Sequence, residues 1–429
     1  MYRTCTWESE REKLSYTPRR AEGTALYQIA YSYRDEIEHC WDELFSNLYG
    51  PARPEMFTAL DAYLNCGVYE HGVARVYCDH CTHSFIVPFS CKERLLCPSC
   101  NTKRAVLFAE NLFENVLEPV PHHHIVFSIP KRLRRFFLFD RSLFSELYHA
   151  AIATLEFCLE PPEHKLGAVL TLQTAGDDLG WHPHLHGILA SGTFAPGGEF
   201  LPGDEVNCAL LTDTFARLLL KRLLNQEVIS QDDHDQILSQ NHTGFSVWVG
   251  KTFTDSDSKR FVARYIERSP ISLKRLAIDG DCAVYSTKDG AVHRFIPLEF
   301  LARLLQHTVG HYESITRYYG FYSSRARGDR KKLADGSTAD TFSDLPEPST
   351  PPSSSWQRGM KALFEIDPLV CTQCGTQMRI ISFIFDLAEI KKIMNSLDIP
   401  PYRAPPKFKP HPIQQSFDLY IDDIYDTCN

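Results

Sequence analysis

Three histidines stand at alternate positions in Trp181-His182-Pro183-His184-Leu185-His186-Gly187-Ile188-Leu189-Ala190. An apolar run follows them, so the segment reads as a strand that is buried over its second half. On a strand, side chains two apart point to the same face. His184 and His186 are then placed side by side with Leu185 turned inward. Two neutral imidazoles held this way are half of a metal site, needing one more protein ligand and leaving positions open. The plainer alternative is that one or more of these histidines is a satisfied core or surface residue.

A second cluster is made of cysteines. Cys78 and Cys81 form one Cys-x-x-Cys pair, Cys97 and Cys100 another, with 15 residues between the pairs. That is the pattern of two knuckles closing a four-thiolate tetrahedron around one zinc ion. Cys66, Cys91, His71, His80 and His83 lie close enough in sequence to substitute for one of the four. A lone third pair, Cys371 and Cys374, is weak evidence for metal by itself.

The third group is SKRFVARYIERSPISLKRL. Phe261 and Tyr265 are four apart on a helix that Ser269-Pro270 ends, so they share a face. A divalent ion on His184 and His186 could polarise a phosphodiester, and Tyr265 could attack phosphorus to form a phosphotyrosine. Arg264 and Arg268 on the same helix could hold flanking phosphates. Lys131 and Arg132 open another basic stretch, KRLRRFFLFDR. Each basic group taken alone is as well explained by a solvated helix face.

These groups need a frame. His122 to Pro130 and Gly167 to Gln173 read as strands, with the region 141–158 helical between them. A turn at Gly176-Asp177-Asp178 makes the second strand a hairpin partner of the histidine strand. Gln173 is then near the histidines, and its amide oxygen can ligate a hard divalent cation. Helices are expected over 25–48, 102–117, 204–240 and 297–307, and short strands near 245–249, 282–287 and 291–296. Tyr312, Tyr318, Tyr319 and Tyr322 read as packing residues.

The expected organisation is a helical N-terminal region over 1–117, with zinc ligands within 66–100, and a catalytic domain over 118–322. A Ser/Pro-rich flexible linker over 323–358 follows, then a small C-terminal unit over 359–429 whose proline-rich tail lies extended. No phosphate-cradling Gly-x-x-x-x-Gly-Lys occurs, so no nucleotide cofactor is implied.

The 429 residues carry a net charge of −9, which argues against a surface that is basic throughout. Phosphate affinity has to come from local basic groups. No apolar run approaches the ~18 residues of a membrane span, and the polar first 20 residues do not read as a secretory signal. A soluble cytoplasmic protein is expected, in which 14 cysteines stay reduced and the clustered ones call for metal.

The motifs SCKERLLCPSC, HPHLHGILA, FVARYIERSPISLKRL, RYYGFYS and IDPLVCTQCG, in this order, resemble the rolling-circle transposases of the insertion-sequence-91 type. These belong to the HUH endonuclease superfamily, and the resemblance runs from about Tyr49 to Phe385. It implies an α+β fold: an HUH-type antiparallel sheet covered by helices, with an N-terminal helical zinc-binding domain. It implies structural zinc, a catalytic Mg2+ or Mn2+ on His184 and His186, and Tyr265 joined to a 5′ phosphate. The substrate implied is single-stranded DNA at element ends and targets, placing the protein at the bacterial nucleoid. Many members carry two tyrosines four apart. Here the first of those positions is Phe261, so the chain resembles the single-tyrosine branch of the common-region elements. A replication initiator or relaxase uses the same chemistry. An iron oxygenase with two histidines and a carboxylate, or a non-catalytic zinc-dependent DNA-binding protein, are the alternatives from other classes.

Overall fold

The computed structural model describes residues 21–240, 242–334, 357–358 and 367–407. In chain order the first elements are α1 (Ala25–Cys40), α2 (Pro54–Leu64), β1 (Val73–Tyr77), β2 (Ser84–Pro88) and α3 (Pro98–Asn115). Next come β3 (His122–Ser128), α4 (Lys131–Phe139), α5 (Phe144–Leu159), β4 (Lys165–Ala175), β5 (Trp181–Phe194) and β6 (Phe200–Pro202). Then follow α6 (Cys208–Asn225), α7 (Gln231–Ser239), β7 (Ser246–Val249) and α8 (Ser256–Ile266). The remaining elements are β8 (Leu276–Asp279), β9 (Cys282–Ser286), β10 (Val292–Phe295), α9 (Pro297–Leu305), β11 (Thr316–Gly320), α10 (Ser324–Ala334), β12 (Arg379–Ile384) and α11 (Leu387–Ser396). No helix among the described residues is long and apolar enough to cross a membrane.

The central sheet is antiparallel throughout its path, in the order β11-β4-β5-β3-β7, with β6 paired to the end of β5. Its two faces differ because the strands alternate. Ile125, Phe127, Leu170, Leu172, Leu185 and Leu189 belong to one core, closed by α4, α5 and α6 through Phe137, Leu147, Leu155, Phe215 and Leu219. On the other face Val169, Ile188 and Ala190 pack against Ala109 and Leu112 of α3 and Ala263 and Ile266 of α8. This is the expected α+β arrangement of an antiparallel sheet covered by helices.

Gly187 shows how tightly the middle of the sheet is built. A Cβ there would lie 2.5 Å from Leu170 Cδ2 and 2.8 Å from the Val169 carbonyl oxygen, closer than packed atoms tolerate.

The N-terminal helices share a core with the β8–β10 sheet and α9: Leu26, Trp41 and Tyr63 are buried in the same cluster as Tyr285, Phe300 and Leu301. The expected boundary at residue 117 therefore does not separate two cores. The C-terminal segment is also not a separate unit. Strand β12 pairs antiparallel with β1, Val73 opposite Ile384 and Tyr77 opposite Arg379, completing the sheet β12-β1-β2. The region 204–240 is two helices, since the chain turns between α6 and α7, where Glu227 adopts a positive φ.

The expected linker starts later than residue 323, because Ser324–Ala334 is helical. No apolar periodicity announces this helix. It is anchored by arginines: Arg330 lies 3.6 Å over the Phe321 ring and donates to the Phe321 carbonyl, and Arg327 donates to the Tyr322 carbonyl. The rest of that expected linker up to residue 356, and the proline-rich tail from 408 onward, lie outside the described residues.

Candidate active site and cysteine clusters

The histidine strand is positioned by register. Gln173 lies opposite His184 and Thr171 opposite His186 in the β4–β5 ladder, while Val126 of β3 faces His186 from the other side. Paired residues share a face, so His124, His184, His186 and Gln173 all project from the same side of the sheet. His184 and His186 are almost entirely buried.

One hydrogen bond fixes the tautomer of His184. His184 Nδ1 is 2.6 Å from the His182 carbonyl oxygen, and a ring nitrogen facing a carbonyl must donate. Its Nε2 therefore carries a lone pair, while His186 Nδ1 is 2.9 Å from His124 Nε2, a contact in which either ring can donate. The Nε2 atoms of His184 and His186 lie 3.1 Å apart, a hydrogen bond when His186 carries its proton on Nε2. With the His186 proton on Nδ1 instead, both Nε2 lone pairs are open, and the distance suits two nitrogens bound to one ion at the usual ~2.1 Å. Burial lowers the pKa of all three rings. That of His186 falls to about 2, chiefly through burial and next through the neighbouring His184. They stay neutral at physiological pH, the form that binds metal.

Tyr265 comes from above the sheet. Helix α8 is capped by Asp255, which accepts from the Ser258 N–H, and its other end is held by two side-chain amides. Gln173 Nε2 donates to the Ile266 carbonyl at 3.0 Å and toward that of Tyr265 at 3.3 Å, and Asn101 Nδ2 donates to the Glu267 carbonyl at 2.8 Å. These bonds satisfy carbonyls that a helix end otherwise leaves open. They also deliver the Tyr265 ring to 5.5 Å from the His186 ring and 5.9 Å from that of His124, both edge-on.

Gln173, His182, His184, His186, Tyr265, Arg268 and Lys288 line one cavity of about 190 Å3. The Arg268 guanidinium sits 5.0 Å from the Tyr265 ring centroid and the Lys288 ammonium 5.9 Å. Lys288, which also pairs with Asp177, was missed because it lies in the turn between β9 and β10, far from any motif. His124 was missed as well, although the run His122-His123-His124 was visible as a strand.

The expected phosphate-binding residues divide. Arg268 lines the cavity and Arg264 is exposed on the same helix. Lys131 and Arg132 are exposed on α4, whose buried Leu133 and Phe137 belong to the core on the opposite face of the sheet, and they do not line the cavity. Among the other tyrosines, Tyr322 is buried with its hydroxyl 2.7 Å from His122 Nε2. Tyr312 corrects the expectation of packing: it is 94% exposed, with its ring centroid 4.0 Å from that of the neighbouring His311. No carboxylate joins the histidine pair among the described residues, which removes the ligand an iron oxygenase would need.

The cysteines also correct the expected grouping. Cys78 and Cys81 do not meet Cys97 and Cys100. The described residues form two four-thiol clusters instead, Cys66 with Cys91, Cys97 and Cys100, and Cys78 with Cys81, Cys371 and Cys374. In the first, sulfur separations are 3.7 Å for Cys66–Cys100, 3.5 Å for Cys91–Cys100 and 3.9 Å for Cys66–Cys97. Zinc–sulfur bonds of ~2.3 Å in a tetrahedron give edges of about 3.8 Å, so this donor set fits zinc. The physical reason for the regrouping is that β1 and β2 carry the first knuckle away toward β12, leaving Cys66 and Cys91 beside the second.

A cysteine-rich module thus lies beside a sheet that brings paired imidazoles to a helix-borne tyrosine, and the proteins similar to this chain in sequence are transposases. Residues 36–129 match the family described as "Transposase zinc-binding domain", and residues 167–330 match one described as "Putative transposase". The chain is 25% identical over 362 residues to "Transposase for insertion sequence element IS801" of Pseudomonas savastanoi pv. phaseolicola, covering 79% of this chain and 86% of that one. It is 27% identical over 287 residues to "Putative transposase y4qJ" of Sinorhizobium fredii, covering 60% and 71%. No solved structure matches the chain. The chain belongs to the transposases of the insertion-sequence-91 family.

Proposed function

We propose that the protein nicks and transfers single-stranded DNA through a covalent 5′-phosphotyrosine on Tyr265, the chemistry of rolling-circle transposition. The observation that carries this reading is the edge-on approach of Tyr265 to His186 inside one cavity whose rim is cationic. His184 and His186 would hold Mg2+ or Mn2+ through Nε2. Gln173 spends its amide nitrogen on the helix end, which leaves Oε1 as its ligating atom. When bound, such an ion supplies Lewis-acid polarisation of the phosphate oxygen.

The chain's own residues do the rest. Gln173 and Asn101 fix the end of α8 and thereby the tyrosine. Arg268 and Lys288 offer positive charge where the phosphate would enter, and Arg264 extends that charge along the strand. Lys131 and Arg132 would meet DNA away from the cavity. Tyr265 Oη forms the bond to phosphorus while the bond to the 3′ oxygen breaks. The phenol proton is balanced by the one gained on the departing 3′ hydroxyl. Attack of a 3′ hydroxyl on the phosphotyrosine reverses the step and joins strands, so no nucleotide cofactor is required. Zinc on Cys66, Cys91, Cys97 and Cys100 would be structural.

The test is incubation with 3′-labelled single-stranded oligonucleotides carrying the element's ends, followed by denaturing electrophoresis and peptide mapping. A phosphotyrosine at Tyr265, lost in Tyr265→Phe, supports the reading. An adduct on Tyr318 or Tyr322 sinks it.

A further inference from the structure

We propose that Cys78, Cys81, Cys371 and Cys374 hold a second zinc ion, which fastens the C-terminal segment to the β1–β2 hairpin. The match to the transposase zinc-binding domain ends at residue 129 and does not reach the second half of this set. Sulfur separations of 3.5 Å for both Cys78–Cys374 and Cys81–Cys371 exceed a disulfide of ~2.05 Å and lie near the edge of a zinc tetrahedron.

Both halves are built as matching knuckles. In the first, the Cys78 N–H donates to His83 and the Thr82 N–H to Cys78. In the second, the Cys371 N–H donates to Thr376 and the Gly375 N–H to Cys371. Each turn folds a Cys-x-x-Cys pair so that both sulfurs point the same way. Thr376 Oγ1 lies 2.9 Å from Cys374 Sγ and 3.2 Å from Cys78 Sγ, so its single O–H can donate to either of two thiolates drawn from distant parts of the chain.

The surroundings are prepared for the cluster. Val76, Val87, Leu369 and Met378 form a small core around Cys78 and Cys371. Arg379 of β12 makes a two-pronged ion pair with Asp79, inside the first knuckle. Six side chains cannot make a large core, and small modules of this kind gain their stability from metal. A four-thiolate set without imidazole or carboxylate selects zinc among the ions that need no redox chemistry.

The test uses the full-length protein. Native mass spectrometry should find two zinc ions per chain, and X-ray absorption should give an all-sulfur shell of four at about 2.3 Å. The double variant Cys371→Ser/Cys374→Ser should lose one of the two ions and exchange its β12 amide hydrogens faster. One zinc per unmodified chain, nitrogen or oxygen in the zinc shell, or two ions retained by the double variant would each overturn the proposal. The unmodified protein decides the matter even if that variant does not fold. The zinc count and the absorption shell are read also in His184→Ala/His186→Ala protein, which removes any zinc from the histidine pair, so the proposal stands or falls apart from the proposed catalysis.

Discussion

Asn101 joins the first cysteine cluster to the end of the tyrosine helix. Its side chain is buried in the first turn of α3, right after Cys100, accepts from the Leu95 N–H and donates to the Glu267 carbonyl. Leu95 in turn lines the cavity, and its carbonyl accepts from Ser269 Oγ. A cysteine loop thus forms one wall of the site that holds Tyr265.

Asn101→Ala should therefore slow nicking while leaving the zinc content unchanged. The lost pairings cost roughly 1–3 kcal/mol of stability, and displacement of the tyrosine should lower the single-turnover rate roughly ten- to hundredfold. Asn101→Asp keeps the acceptor for Leu95 but places a carboxylate against the Glu267 carbonyl, and should be no better. A rate equal to the parent's in both variants would remove Asn101 from any positioning role.

Phe261 is 69% exposed and does not line the cavity, although it lies one helical turn before Tyr265. Restoring a hydroxyl there by Phe261→Tyr should produce no second DNA adduct. Mapping of trapped peptides checks this, and a phosphotyrosine at position 261 would show that α8 turns during the reaction.

His186→Ala should abolish nicking and the binding of one manganese ion, detected by titration with paramagnetic Mn2+. His124→Ala removes only the ring that orients His186, and should weaken that binding by about 10–100-fold. Equal affinity in the parent and His124→Ala would mean that the 2.9 Å contact does not set the tautomer.

His307 predicts an acid-side loss of stability. It is buried, with Nε2 donating to the Leu179 carbonyl and Thr174 Oγ1 at Nδ1, and burial lowers its pKa from 6.5 to about 4. The unfolded chain takes up a proton below pH 6.5 that the folded chain refuses. The contribution of this group is thus complete above pH 6.5, falls as the pH drops, and is lost by about pH 4. A shift of this size corresponds to about 3 kcal/mol. Denaturant melts of the parent and His307→Gln between those pH values should differ in slope, the variant being flatter.

The parts of the site that were legible in the sequence are those set by local spacing. Alternation put His184 and His186 on one face, and a four-residue step put Phe261 and Tyr265 on one helix. What stayed hidden depends on pairing between distant strands. His124 becomes a neighbour of His186 only through the β3–β5 register, and Lys288 reaches the cavity only through the β9–β10 turn. The cysteine partners were misassigned for the same reason. Each Cys-x-x-Cys pair is visible alone, but nothing within residues 66–100 reveals that Cys78 and Cys81 face a pair far down the chain. Helix α10 escaped notice because its anchors are arginines stacked and bonded to residues just before it, not an apolar stripe.

Strand β1 has a place in a sheet that only the last part of the chain can fill. Cys81 and Cys371 are 290 positions apart, and ribosomes add roughly 5–20 residues per second. The hairpin therefore waits on the order of 15–60 seconds after its own synthesis for β12 to emerge. A chain cut short by a frameshift or a premature stop can build the histidine strand and the tyrosine helix, yet it leaves the edge of β1 bare and two thiols without their partners. Full-length synthesis is thereby written into the fold, and damaged copies are left with an open strand edge that proteases and aggregation can reach.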